Sequence, residues 1–169
     1  MKSTTRGRSW SPVWQQCYNP AGARKRERPG ARFFRYLVTD HSGTEEAFYR
    51  SQSVGLSSAD RSRADGTHFG GSLDVEETRV PSTTLDDLLA REGIETIDLL
   101  ALDIEGHEFN ALRGIDLARF QPQLVVSEGR RRDVSTYLHE QGYEVIERYL
   151  RFDFVNTYYQ RRAGRAVVP

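Results

Sequence analysis

Ile97-Asp98-Leu99-Leu100-Ala101-Leu102 is a nearly continuous apolar run that stops at Asp103. A run this short, without alternation, suits a strand covered on both faces, as in a sheet layered between helices. In such sheets ligands bind outside the carboxyl ends of the strands. Asp103 stands at one such end, with Glu105, His107 and Glu108 just behind it. A second apolar run, Leu124-Val125-Val126, ends in the same way at Ser127-Glu128-Gly129. Charge placed directly after buried strands is not required by folding, so these positions are the first candidates for chemistry.

The flanking segments read as strands alternating with helices. Phe33–Thr39 is aromatic and β-branched, Asp40-His41-Ser42-Gly43 closes it like a turn, and Glu46–Arg50 suggests the returning strand of a hairpin. Residues 51–72 read as a loop, and Leu73–Val80 as a strand closed by Pro81. Leu85, Leu88 and Leu89 have helical spacing, with Thr84 as N-cap, Asp86 and Asp87 in the first turn and Gly93 as the stop. Glu105–Arg113 suits a second helix. A third begins near Asp133, uses Val134, Tyr137 and Leu138, and stops at Gly142. Tyr143–Leu150 and Phe152–Gln160 then suggest an antiparallel strand pair. The expected fold is a three-layer, doubly wound α/β domain with a mostly parallel sheet.

A length of 169 residues suits one domain. We divide it into a basic, disordered segment 1–32, a domain 33–162 and a tail 163–169. The first 32 residues hold eight Lys/Arg against Glu27 alone, leaving 16 basic and 23 acidic side chains elsewhere. Lys2 and Lys25 are the only lysines, so arginine enrichment is a property of the whole chain, and a nucleic-acid role for the arm is not favoured. Cys17 stands alone, which excludes an intrachain disulfide and a cysteine-rich zinc site. With neither an apolar run of the ~20 residues that cross a bilayer nor a secretory signal, the expectation is a cytoplasmic protein without a membrane partner.

Thr84-Leu85-Asp86-Asp87-Leu88-Leu89, then Ile97–Glu108, then Leu112-Arg113-Gly114 resembles the core signature of FkbM-type methyltransferases in order, spacing and residue type. Leu37-Val38-Thr39-Asp40 with Phe48-Tyr49, Pro122–Glu128 and Gln141-Gly142-Tyr143 resemble further family segments, so the likeness covers about residues 33–160. The resemblance implies the methyltransferase (Rossmann-like) variant of the doubly wound sheet and S-adenosylmethionine as cofactor. That family's first strand leads into a glycine-rich turn around the donor, yet this sequence contains no G-x-G. The expectation is therefore an N-terminally truncated domain whose strand Leu99–Leu102 has an exposed edge, open to pairing in a homodimer.

By that resemblance, Asp103, Glu105 and His107 are the catalytic candidates, with Asp103 orienting a hydroxyl-bearing small-molecule acceptor or taking its proton. Asp40 and Asp103 are the candidate cofactor contacts. No metal is expected, because Asp103, Glu105 and His107 lie on one short turn and such neighbours rarely converge. Structural roles stand beside these. Asp103 and Asp40 also suit turns, Glu105 and Glu108 also suit a helix N-terminus, and His107 also suits packing. Arg130-Arg131-Arg132 reads as a solvated loop, with anion binding as the alternative. The function expected is O-methylation of a small metabolite or sugar. The alternatives are an inactive remnant and a half-domain completed by a partner chain.

Overall fold

The computed structural model describes residues 31–53 and 55–162. It is a mixed α/β structure with two sheets rather than one. The expected N-terminal segment falls almost entirely outside these residues, as does the tail.

The first sheet has the order β1-β3-β2, from β1 (Leu37–Val38), β2 (Glu45–Ser51) and β3 (Val75–Thr83). Here two expectations change. β2 forms its antiparallel ladder with β3 and not with the segment before it. β3 also runs through Pro81 to Thr83. Pro81 sits where the strand leaves its antiparallel pairing with β2 and begins parallel pairing of Ser82 and Thr83 with β1. A proline is tolerated there because its position lies at the end of one ladder and needs no N–H. The 51–72 stretch carries a short helix, α1 (Arg61–Ala64), capped by Asp60, and a 3-10 turn (Thr67–Phe69).

The second sheet has the order β4-β5-β7-β6, from β4 (Leu99–Leu102), β5 (Leu124–Glu128), β6 (Tyr143–Val145) and β7 (Asn156–Arg161). β4 and β5 are parallel, while β7 is antiparallel to both β5 and β6. Parallel pairing is thus the minority among the described strands, contrary to the mostly parallel expectation. The C-terminal antiparallel pair is present, although shorter than its sequence segments, because Glu147–Arg151 forms a 3-10 helix instead of strand.

Four helices accompany these strands: α2 (Leu85–Arg91), α3 (Glu108–Arg113), α4 (Leu117–Phe120) and α5 (Arg132–Glu140). Thr84 caps α2 by accepting the Asp87 N–H at 3.0 Å, as its position implied. One core joins Val38, Leu85, Leu100, Leu102, Leu112, Phe120, Val125, Leu138 and Tyr159, so strands of both sheets and all four helices share it.

β4 is not covered on both faces. Leu100 and Leu102 are buried, whereas Leu99 on the opposite face is 42% exposed. The register carries that face across the sheet, from Leu99 and Ala101 to Leu124 and Val126 and on to Tyr158. Among the described residues no strand pairs with the outer edge of β4. Among the described residues β4 is therefore an edge strand of its sheet.

Candidate functional site

The turn between β4 and α3 is tied down at every step. Glu105 and Gly106 both take left-handed backbone, with φ of 52° and 95°. For a residue with a side chain this costs on the order of 1 kcal/mol, so neighbours must hold it. The buried carboxylate of Glu108, 1% exposed, accepts the N–H groups of Ile104 at 3.3 Å and Gly106 at 3.0 Å. Ser58 Oγ donates to the Glu105 carbonyl at 2.8 Å. Arg131 donates to the Gly106 carbonyl and lies 3.6 Å from the second Glu108 oxygen. The helix expected from Glu105 consequently starts only at Glu108. Glu108 opens α3, but its carboxylate holds the preceding turn instead of capping the helix, whose N-cap is His107.

This turn places Asp103 and Glu105 beside Glu128. The parallel register sets Leu102 against Ser127, so the two strand tips emerge side by side. Carboxylate oxygens of Asp103, Glu105 and Glu128 lie within 4.8 Å of one another. Burial first, then the charges of Glu105, Asp103 and Glu108, push the Glu128 carboxyl up to about 7, against some relief from Arg63. Burial and then Asp103 likewise raise Glu105, again opposed by Arg63. Burial and neighbouring negative charge thus favour the protonated forms of Glu128 and Glu105. The same spacing also admits a divalent cation.

Of the residues expected from sequence, Asp103 and Glu105 come together. His107 and Asp40 lie elsewhere. His107 occupies the N-cap position of α3, and its Nε2 is buried with no hydrogen-bond partner among the described residues. Burial lowers its pKa, opposed mainly by the charges of Glu108 and Asp40, so the imidazole is neutral. Asp40 is bound by His41 at 3.0 Å and paired with Arg113 at 3.4 Å. His41 first, then Arg113, hold its carboxyl below the usual range.

Two participants were outside the catalytic and cofactor roles that the family resemblance implied. Glu128 was visible as a strand-end charge, but only the β4–β5 register brings it to Asp103. Arg63 comes from the stretch read as loop, and its guanidinium packs on Gly106. No local pattern marks it.

The family signature residues thus surround the turn and strand tips that the site is built from. Consistent with this, the model of the methyltransferase FkbM domain matches residues 15–145. The chain belongs to the FkbM methyltransferase family. No curated protein and no solved structure matches it. The family match begins earlier than the resemblance seen by eye and ends between β6 and β7.

In the described part of the FkbM domain, Gly106 and Gly114 are closely packed: a side chain at Gly106 would meet Arg63, and one at Gly114 would meet the Thr39 carbonyl. Asp40, the candidate cofactor contact, is already engaged by His41 and Arg113. Among the described residues these positions do not form the glycine-rich donor turn that the resemblance implies.

Proposed function

We propose that this FkbM domain catalyses O-methylation of a small hydroxylated metabolite or sugar, with Asp103, Glu105 and Glu128 forming the acceptor side of the site. S-adenosylmethionine, when bound, supplies the methyl group. The chain's own residues act on the acceptor: Asp103, exposed at the β4 tip, receives and orients the hydroxyl, and Glu128 takes its proton. A general base works best when its pKa lies near the operating pH. The nearby Glu105 raises the proton affinity of Glu128. His107 and Asp40 do not join the carboxylates.

The single observation carrying this reading is the convergence of the three carboxylates at the ends of β4 and β5. Calorimetric titration of the full chain with S-adenosylmethionine tests it. Binding is expected, and the absence of heat at cofactor concentrations on the order of millimolar removes the enzyme reading. Given binding, Asp103→Asn should slow transfer more than it weakens cofactor affinity.

A second reading rests on the outer edge of β4, which lacks a strand partner among the described residues, and on the exposed Leu99 beside it. Unpaired edges recruit other strands. In this reading the chain is a half-domain whose sheet a second copy completes. Analytical ultracentrifugation separates the two: a dimer that Leu99→Lys dissociates supports completion by a partner, and a monomer at all concentrations opposes it.

A further inference from the structure

The connection between β6 and β7 presents apolar side chains to solvent beside the carboxylate site. Phe152 is 82% exposed, Phe154 78% and Val155 59%. Adjacent large exposed hydrophobics on a soluble domain mark a binding surface more often than an accident.

The segment is firmly held, so its exposure does not come from looseness. The Asp153 carboxylate accepts the N–H groups of Val155 and Asn156, the Asn156 amide and the Tyr158 hydroxyl, at 2.8–3.0 Å. The Val155 carbonyl accepts the Gly129 N–H at 2.7 Å, and the Leu150 carbonyl accepts from Arg130 at 3.0 Å. These bonds fasten the aromatic segment to Gly129 and Arg130, directly after Glu128 of the carboxylate group. Asn156, next along from Val155, is the strand partner of Glu128.

The charge of this rim is the reverse of the site behind it. Arg130, Arg132 and Arg151 are exposed, and no carboxylate pairs with them among the described residues. Asp153 is consumed by its own loop, and Asp133 pairs with Arg131. An aromatic surface edged by unpaired arginines matches a ligand that joins a flat-faced ring to an anion, since rings stack on phenyl groups and guanidinium ions bind phosphate in two-pronged fashion.

We propose that Phe152 and Phe154, with Arg130, Arg132 and Arg151, form the acceptor-recognition rim of this domain, and that the acceptor is a phosphorylated ring compound such as a sugar phosphate or a nucleotide-linked sugar. The ring lies against the phenyl groups, the arginines hold the phosphate, and the free hydroxyl reaches the carboxylates behind Glu128. This assignment rests on the acceptor-side reading above.

The test is calorimetric titration of the full chain with three probes: glucose 1-phosphate, uridine diphosphoglucose and adenosine monophosphate. At least one should bind, and unphosphorylated glucose should not. Phe152→Ser with Phe154→Ser, and separately Arg132→Gln with Arg151→Gln, should each weaken that binding by about tenfold or more while leaving the melting temperature unchanged. These side chains are exposed, so their replacement does not threaten folding. Failure of all three probes overturns the proposal, as does binding that neither variant weakens. Sedimentation with phosphatidylglycerol vesicles that is lost in the phenylalanine variant, without binding of the soluble probes, overturns it in favour of a lipid surface. S-adenosylmethionine binding is measured in parallel. Donor binding without probe binding sinks this proposal alone. Probe binding without donor binding sinks the enzyme reading and leaves the rim as a ligand site.

Discussion

Ser58 Oγ donates to the carbonyl of Glu105 at 2.8 Å, joining the first sheet to the turn that carries the candidate site. Ser58 is itself fixed by two backbone bonds with Tyr49, at 2.9 and 3.0 Å, and accepts the Asp60 N–H at 3.0 Å. The segment that positions Arg63 and the turn that positions Glu105 are therefore one unit. Its value to the site is that Glu105, in left-handed backbone, has little of its own to keep it there.

Ser58→Ala should destabilise the protein by about 1 kcal/mol, because it leaves the part-buried Glu105 carbonyl and Asp60 N–H without their partner. Urea unfolding measures this. Ser58→Thr keeps the hydroxyl and should recover part of the loss.

Glu128→Gln should change the pH dependence of stability. The folded carboxyl sits at about 7, above its ordinary value of 4.5. The folded state therefore binds more protons between those values, and stability declines as pH rises through that window. Removing the charge should stabilise the protein above pH 7 by about 1–2 kcal/mol, after allowance for solvent screening at a half-buried group, and do little at pH 4. Thermal unfolding at the two pH values reads the difference. Transfer activity should show the opposite preference in the unmodified protein, rising with pH through about 7 as the base becomes free.

Gly114→Ala should be severe. A methyl group at that position points into the Thr39 carbonyl, which is backbone and cannot swing away. Overpacking of this kind costs typically about 1–3 kcal/mol, and the expected loss lies at the upper end. Chemical denaturation with circular dichroism checks it. The glycine of the Leu-Arg-Gly signature has, in this fold, a packing reason.

Glu108→Ala should lower stability by about 1–3 kcal/mol, since the Ile104 and Gly106 N–H groups lose their acceptor and Arg131 loses its nearby charge. Glu108→Gln retains one acceptor oxygen and should cost less. Hydrogen exchange at Gly106 should quicken in the alanine variant. Unchanged protection there would show that the carboxylate does not hold the turn.

Much of this protein was legible in its residues alone. The Thr84 cap with the helix after it, the strand ending before Asp103 and the acidic Glu108 in the first turn of α3 all depend on neighbours within a few positions. Rules of local geometry reach that far and no further. Only the tertiary structure decided the rest. The β4–β5 register, a relation across more than twenty residues, brought Glu128 to Asp103 and Glu105, and packing of the 51–72 stretch delivered Arg63. The apolar run of β4 carried no record of whether both faces would be covered, because hydrophobicity reports the wish to be buried and not the presence of a neighbour. That is why the run by itself read as covered on both faces, although Leu99 is exposed.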